Sequence, residues 1–112
     1  MIYIRGHARD YDQWRQSGLT GWGYSDVLPY FRKSETYEGG GNDFHGDDGP
    51  LHVSESPMED MLYDMFVRAG VEAGYPETKD FNGPQQEGFG PYQRTMHDGE
   101  RWSASFEDLR PI

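Results

Sequence analysis

Residues 56–74 read SPMEDMLYDMFVRAGVEAG, and this stretch carries the clearest structural signal in the chain. Its apolar side chains recur at helical spacing, which predicts one amphipathic helix from Pro57 to about Ala73. A helix face rich in methionine can bind varied partners, but it more often fills a core. We therefore expect the helix to bury four large side chains on one side, namely Met61, Leu62, Met65 and Phe66.

The ends of this helix are also indicated by the sequence. Ser56 is typical of an N-cap, and Glu59 three residues later would complete a capping box. Gly74 can adopt the left-handed conformation that ends helices, and Pro76 prevents continuation. The pattern predicts the longest helix of the chain.

Two shorter helices are predicted upstream. Asp10 can cap a segment over residues 11–17 that ends at Gly18. Ser25 or Asp26 can open a second helix over residues 27–35. Pro29 should lie in its first turn, because deeper in a helix a proline removes a hydrogen bond and clashes with the preceding turn.

The remaining segments predict loops and short strands. Residues 39–49, GGGNDFHGDDG, read as a loop, residues 50–54 as a strand and residues 80–91 as a second loop. Asp98-Gly99 favours a type I′ turn between strands at residues 92–97 and 100–103, and a last helical turn should follow from Ser103 or Ser105 to Leu109. The pattern indicates an α+β fold with three to four helices and a few short antiparallel strands, too few for a sheet that is stable alone.

Composition limits the function. The 112 residues suit one domain, and a net charge of −10 argues against nucleic acid as a partner. No apolar run approaches the roughly 18 residues of a membrane helix, and we expect no transmembrane segment or secretory leader. The hydrophobic share is only 34% while the aromatic share is 15%, so the aromatics either form the chain's own core or pack against a ligand or further protein.

No complete active site is visible from the residues alone. A nitrogen and oxygen cluster in residues 44–52, FHGDDGPLH, suggests a metal site, but its spacing matches no zinc or calcium motif, and a structural loop is favoured; the candidate ligands are His45, Asp47, Asp48 and His52. His97 could act as an acid or base, although a histidine beside Asp-Gly is more often simply solvated. The chain contains no GxGxxG, no nucleophile elbow and no cysteine, and we assign no catalytic or metal-binding residue.

The order of several motifs is nevertheless specific. MIYIRGHARDYDQW at residues 1–14, GLTGWGYSDVLPYFRKSE at 18–35, FHGDDGPLHVSES at 44–56 and FNGPQQEGFGPYQRTMHDGERWSAS at 81–105, followed by LRP, occur in register. This arrangement resembles the glucose–methanol–choline (GMC) oxidoreductases, and within them the choline dehydrogenase-like branch. The likeness covers essentially the whole chain.

The resemblance implies an internal piece of a two-domain FAD-dependent alcohol oxidoreductase, which oxidises a primary alcohol by hydride transfer to flavin. Residues 1–49 would belong to the FAD-binding domain and its connecting helices, and residues 50–112 to the substrate-binding domain, returning toward the FAD domain at about 101–112. Met1, Ile2 and Tyr3 would lie near the flavin. The catalytic base and the phosphate-binding fingerprint would lie outside these residues, so the isolated chain should be inactive and bind no FAD.

Two further expectations accompany this hypothesis. The alternative is a small non-catalytic interaction domain whose exposed aromatic residues form the partner surface. Outside its parent enzyme we expect the chain to self-associate, most readily through its β-prone start, Met1 to Ile4, whereas a strict monomer would indicate a self-contained domain. The resemblance implies a bacterial protein located in the cytoplasm or peripherally at the inner membrane, with a small alcohol as substrate.

Overall fold

The computed structural model describes residues 2–57, 59–103 and 105. These residues form an α+β arrangement, as the sequence predicts. Its elements in chain order are β1 (Ile2–Tyr3), α1 (Ala8–Gln16), α2 (Tyr24–Ser34), β2 (Glu35–Tyr37), β3 (Leu51–Val53), α3 (Met61–Glu72), β4 (Gln93–Arg94), β5 (Met96–His97) and β6 (Glu100–Arg101).

The strands pair in three short ladders. β1 pairs antiparallel with β4, and β5 pairs antiparallel with β6. β2 and β3 are parallel, with Glu35 opposite Leu51, a pairing absent from the sequence-based expectation. A bridge between Ser54 and Arg94, with N···O distances of 2.8 and 2.9 Å, links the end of β3 to β4. The first strand, the 38–50 loop and the 80–91 loop are thereby drawn around one centre.

Helix α1 begins earlier than predicted. His7, rather than Asp10, is its N-cap: the His7 Nδ1 atom accepts a hydrogen bond from the backbone N of Arg9. Asp10 instead sits at the third helical position, where its Oδ2 accepts from the backbone N of His7 at 3.0 Å. Gly18 follows the helix with φ of +99°, in the left-handed region where the sequence places the helix end.

Helix α2 also begins earlier than predicted, and the placement of Pro29 in its first turn is wrong. Gly23 is the N-cap, and Asp26 Oδ2 accepts from the Gly23 backbone N at 3.0 Å. Pro29 is therefore the sixth helical residue. Pro29 and Ser25 are both exposed, so water can hydrogen-bond the Ser25 carbonyl that proline cannot pair.

Helices α1 and α2 pack through an aromatic cluster centred on Tyr11. The Tyr11 ring lies edge-on to Trp14 at 5.3 Å and to Phe31 at 5.8 Å between ring centroids. Tyr24 completes the group at 6.3 Å. Edge-to-face aromatic pairs at these distances stabilise such contacts beyond their buried area.

Helix α3 is the longest described helix, but its predicted start is wrong. Asp60 is the N-cap, and its Oδ1 accepts from the backbone N of Leu62 at 2.8 Å. The predicted cap, Ser56, instead donates its hydroxyl to the Tyr92 carbonyl, which holds this part of the chain beside β4. The helix ends as predicted, with Gly74 at φ of +94°.

The predicted buried face of α3 is also wrong. Its four large apolar residues, Met61, Leu62, Met65 and Phe66, are 56% to 74% exposed. The helix instead contacts the 89–90 segment through a neighbouring edge, where Val67 and Gly70 are buried and the Tyr63 hydroxyl donates to the Gly90 carbonyl at 2.9 Å. Periodicity identifies an apolar stripe, but it does not say which side the rest of the chain covers.

The loops and the hairpin follow the sequence-based expectation. Residues 39–49 and 80–91 contain no helix and only isolated bridges. Asp98 and Gly99 have φ of +50° and +77°, as a type I′ turn requires. The helical turn predicted from Ser103 or Ser105 to Leu109 lies outside the described residues. None of the described helices is long and apolar enough to cross a membrane.

The interior of the described chain is only partly apolar. Its buried hydrophobic residues are Tyr37, Val53, Val67 and Phe81. Polar residues buried as deeply are more numerous: Arg5, Glu35, His45, Thr78, Asn82 and Gln93. Since buried polar groups must be hydrogen-bonded to be tolerated, the centre of the fold depends on how these side chains are paired.

Candidate functional site

Five of the six buried polar residues, all but Thr78, form a hydrogen-bonded ring with the partly exposed Asp80, and one half of this ring is charged. Glu35 Oε2 accepts from Arg5 Nη2 at 2.8 Å and from His45 Nδ1 at 2.9 Å. The other ring nitrogen, His45 Nε2, lies 2.8 Å from Asp80 Oδ2. The His45 and Glu35 side chains are fully buried, and that of Arg5 is nearly so.

The other half of the ring consists of side-chain amides. Gln93 Nε2 donates to Asp80 Oδ1 at 2.8 Å, and Gln93 Oε1 accepts from Asn82 Nδ2 at 2.6 Å. Asn82 Oδ1 then accepts from the backbone N of Arg5 at 2.7 Å, which returns the chain of hydrogen bonds to its first residue. We call these six side chains the buried ring: Arg5, Glu35, His45, Asp80, Gln93 and Asn82.

The geometry requires His45 to be an imidazolium. Both of its ring nitrogens face carboxylate oxygens, and a carboxylate only accepts hydrogen bonds, so both nitrogens must carry a proton. Burial alone would lower the pKa of His45, but the hydrogen bonds to Asp80 and Glu35 outweigh it and raise the pKa to about 9. Burial likewise opposes ionisation of Asp80, yet the hydrogen bond from His45 holds the pKa of Asp80 below its ordinary value.

The charges of the buried ring balance. Arg5 and His45 supply two positive charges, and Glu35 and Asp80 supply two negative charges. Glu35 Oε2 also accepts from the backbone N of Gly46 at 3.1 Å, whereas Glu35 Oε1 is buried with no hydrogen-bond partner among the described residues. The site is therefore neutral overall, and removing any one charged member would leave an uncompensated charge among the others.

The amide half fixes the backbone that continues from β1. Asn82 Nδ2 donates to the Tyr3 carbonyl at 3.2 Å while Asn82 Oδ1 binds the backbone N of Arg5. Gln86 Nε2 adds a hydrogen bond to the Arg5 carbonyl at 2.7 Å. Beside these contacts lies a cleft of about 120 Å³, lined among others by Tyr24, Phe44 and Phe81. This cleft is below the roughly 300 Å³ at which typical ligand pockets begin.

Among the residues that the family resemblance placed near the flavin, Met1 lies outside the described residues. Ile2 is 59% exposed and pairs with Arg94 across the β1–β4 ladder. Tyr3 is half-buried, and its hydroxyl accepts from Arg5 Nε at 3.2 Å. Burial raises the pKa of Tyr3, although Arg5 opposes that shift.

The metal-site hypothesis brings together residues that the structure separates. His45 belongs to the buried ring, whereas His52 stacks on His97 with ring centroids 3.9 Å apart. Asp47 and Asp48 are exposed. Within residues 2–57, 59–103 and 105, no group of three or more histidine, aspartate or glutamate side chains is placed to hold a metal ion.

The His97 side chain is 41% exposed, which agrees with a solvated histidine, but it also makes ring contacts that the sequence does not predict. Besides stacking on His52, the His97 ring lies edge-on to Trp102 at 5.1 Å, and Trp102 Nε1 donates to the Pro50 carbonyl. The hairpin is thereby attached to the start of β3. Burial lowers the pKa of His52, and the neighbouring His97 lowers it further.

Sequence reasoning missed the buried ring as a unit. Its members are spread from Arg5 to Gln93, and no local motif joins them. The sequence presents His45 only as a possible metal ligand and Glu35 only as the end of a helix. One available signal was the low hydrophobic share, which implies that polar residues must fill part of any core this chain forms.

Comparison with known proteins places this fold in a known family. The GMC oxidoreductase family model matches residues 1–112. An oxygen-dependent choline dehydrogenase from Brucella anthropi is 50% identical over 111 residues, which is 99% of this chain and 20% of that protein. The mitochondrial choline dehydrogenase of Mus musculus is 50% identical over 112 residues, covering all of this chain and 19% of that protein.

Solved structures give the same result. Pyridoxine 4-oxidase from Mesorbium loti superposes with a TM-score of 0.88 at 32% identity, over 97% of this chain and 22% of that one. An FAD-dependent oxidoreductase from Chaetomium thermophilum superposes with a TM-score of 0.89 at 26% identity, over 100% of this chain and 22% of that one. The chain thus spans about a fifth of the length of these relatives. It belongs to the GMC oxidoreductase family, of which it represents a choline dehydrogenase-like segment.

Proposed function

We propose that these residues are part of an FAD-dependent alcohol oxidoreductase that oxidises a primary alcohol by hydride transfer to flavin. The observation that carries the proposal is the 50% identity to choline dehydrogenases over essentially the whole chain. Choline is such an alcohol, which makes a small alcohol the proposed substrate. A cytoplasmic location, or a peripheral one at the bacterial inner membrane, is part of the same proposal.

The start of the chain is the segment that we propose lies beside the flavin, through Met1, Ile2 and Tyr3. Among the described strands only β4 pairs with β1, which leaves the other edge of β1 open. Ile2 and Ile4 are both exposed, whereas Tyr3 and Arg5 contact the buried ring. The flavin ring system is flat and largely apolar, with polar atoms at its edge. The exposed side chains of Ile2 and Ile4, beside the open backbone edge of β1, suit such a ring.

The same residues do not suit the rest of the cofactor. The chain contains no GxGxxG motif, and the GGGN sequence at residues 39–42 lies in a loop rather than at the start of a helix. FAD, when bound in the whole enzyme, would accept the hydride. We propose that this segment orients one part of the cofactor, and that the phosphate-binding residues and the catalytic base lie elsewhere in that enzyme.

In the domain arrangement that we propose, residues 1–49 belong to the FAD-binding domain and residues 50–112 to the substrate-binding domain. The buried ring takes Arg5, Glu35 and His45 from the first segment, and the second segment supplies Asp80, Asn82 and Gln93. In the whole enzyme this ring would fasten the two segments together. Because the catalytic base and the phosphate-binding residues would lie elsewhere in that enzyme, the isolated chain would show no turnover and would bind no FAD.

A second candidate function is a non-catalytic interaction domain. The observation that favours it is the large exposed apolar surface, which includes Trp22, Tyr30 and the four apolar residues of α3. Such surface marks an interaction site in a free-standing protein. Residues outside a segment that spans about a fifth of its relatives would cover the same surface, and this favours the first proposal.

Purification of the full-length protein that carries these residues tests the proposal. It should contain FAD that denaturation releases, and anaerobic addition of choline or another primary alcohol should bleach the flavin absorbance band. The 112-residue chain treated in the same way with added FAD should show neither effect. A flavin-free full-length protein would contradict the proposal, as would turnover by the isolated chain.

A further inference from the structure

Tyr3 pairs with Gln93 of β4, and from there to Arg5 the backbone is also held by side-chain amides. Asn82 accepts from the backbone N of Arg5 at 2.7 Å and donates to the carbonyl of Tyr3 at 3.2 Å. These are the groups that a paired strand would engage, two residues apart on one edge. Gln86 engages the next acceptor, the Arg5 carbonyl, at 2.7 Å.

The orientation of the Asn82 amide is fixed from the opposite side. Its Nδ2 donates to Gln93 Oε1 at 2.6 Å, and the Gln93 Nε2 atom is bound by Asp80 at 2.8 Å. A flipped Asn82 would direct its NH₂ group at the Arg5 N–H and its oxygen at an oxygen of Gln93. Only one arrangement therefore satisfies every partner, and Asn82 is almost fully buried in it.

We infer that Asn82 and Gln86 are positioning residues that hold the Tyr3–Arg5 backbone so that the start of the chain meets the flavin at a fixed place. This inference rests on the proposed function. Asn82 binds the Tyr3 carbonyl and the Arg5 amide, whereas Ile2 and Ile4 are exposed. The amides thus act on the flavin through β1 and need not touch it. Reaction rates are sensitive to small misplacements at a reacting centre, so a looser β1 should slow turnover.

The test uses the full-length enzyme and the variants Asn82→Ala, Asn82→Asp and Gln86→Ala. Asn82→Asp keeps an acceptor for the Arg5 amide but loses the donor to Tyr3 and Gln93. Gln85→Ala is the matched control, because the exposed side chain of Gln85 donates to the nearby Glu87 carbonyl and to no other described residue. The measurements are amide hydrogen exchange at Arg5 in the flavin-free protein, visible circular dichroism of the bound flavin, and kcat and KM.

Exchange at Arg5 should accelerate at least roughly tenfold in Asn82→Ala, the scale expected when one buried hydrogen bond is lost. We expect kcat to fall by about tenfold with KM within about twofold, since positioning affects the reacting geometry more than substrate binding. The flavin dichroism should change in parallel. Asn82→Asp should retain slow exchange at Arg5 but show part of the loss in kcat, and Gln85→Ala should match wild type throughout.

Faster exchange at Arg5 with unchanged flavin dichroism and kcat would overturn the inference, because the amides would then serve folding alone. If Asn82→Ala does not fold, Gln86→Ala decides the question by the same criteria, since it removes one hydrogen bond at a half-buried position. A wild-type protein without flavin would overturn the proposed function itself. A wild-type protein that binds flavin, with variants that behave normally, would overturn only the inference about Asn82 and Gln86.

Discussion

His45 Nε2 lies 2.8 Å from Asp80 Oδ2, and the imidazole between Asp80 and Glu35 has no exposed surface. A neutral imidazole has a single N–H and would leave one carboxylate facing a lone pair. The proton that His45 holds is therefore a structural component of the buried ring, and its loss should be visible as a change in stability.

The first prediction concerns alkaline pH. The folded pKa of His45, about 9, lies above its ordinary value of 6.5. Its stabilisation is therefore fully present below about pH 6.5 and is lost as the pH rises through about 9. We expect the free energy of unfolding to fall by about 3 kcal/mol over this range. Urea unfolding from pH 6 to 10 measures the change.

A histidine outside the buried ring provides the control. His45→Gln should flatten the alkaline fall, whereas His97→Gln should leave it in place. An unchanged pH dependence in His45→Gln would show that another group is responsible.

The second prediction concerns Glu35, whose Oε2 atom accepts from Arg5, His45 and the Gly46 backbone. Glu35→Gln leaves two buried positive charges with a single carboxylate, that of Asp80. Breaking a buried ion pair in this way costs about 3 to 5 kcal/mol. Equilibrium unfolding at neutral pH measures the cost, with Glu72→Gln as a control of identical charge change on the exposed side of α3. If Glu35→Gln lowered the free energy of unfolding no more than Glu72→Gln does, the pairing of Glu35 with Arg5 and His45 would be contradicted.

The third prediction concerns Gly70, where helix propensity and packing give opposite signs. A Gly→Ala change inside a helix normally stabilises it by about 0.5 to 1 kcal/mol. Here a Cβ atom would lie 2.5 to 2.7 Å from the Phe89 ring, which already contacts Phe66 and Tyr75. We expect Gly70→Ala to destabilise the protein by about 1 to 3 kcal/mol through overpacking.

Ala69→Gly, at the exposed neighbouring position, measures the propensity effect alone and should cost about 1 kcal/mol. Greater stability of Gly70→Ala in the same unfolding assay would show that Phe89 is not held against the helix.

Local features of this fold were predictable from the sequence, because each depends on a few adjacent residues. Gly18 and Gly74 end their helices in the left-handed conformation, and Asp98-Gly99 forms the expected turn. The start of α3 was not predictable in the same way. Ser56 is a good cap in isolation, but the Tyr92 carbonyl, 36 residues away, takes its hydroxyl.

The buried ring could not be predicted from local rules either. It becomes visible only when residues from Arg5 to Gln93 are brought together, and a buried charge is favourable only in the presence of its partner. The wrong burial assignment on α3 has a related cause: an amphipathic pattern states that a face will be covered, while the covering surface is defined elsewhere. On α3 the covering surface is the 89–90 segment, where the Phe89 ring lies against Gly70 and the Gly90 carbonyl accepts from Tyr63.

The last prediction concerns self-association of the isolated chain. Ile2 and Ile4 are 59% and 48% exposed, and β1 has one unpaired edge among the described strands. Burying apolar surface contributes about 25 cal/mol per Å², so covering a few hundred Å² offsets several kcal/mol before the association entropy is counted. The net charge of −10 opposes contact between copies, but at physiological salt this repulsion is screened beyond about 8 Å. Association should therefore strengthen as salt rises.

Two variants separate the candidate surfaces in sedimentation velocity runs across protein and salt concentration. Ile2→Thr/Ile4→Thr keeps β-branched side chains while removing apolar area, and we expect it to be the variant that weakens association more strongly. Leu62→Gln/Met65→Gln keeps good helix formers on the exposed face of α3 and should weaken association less. If Leu62→Gln/Met65→Gln weakened association more than Ile2→Thr/Ile4→Thr, the contact between copies would be formed by α3 rather than by β1. A strict monomer at every salt concentration would contradict self-association by either surface, because both are already exposed in the single chain.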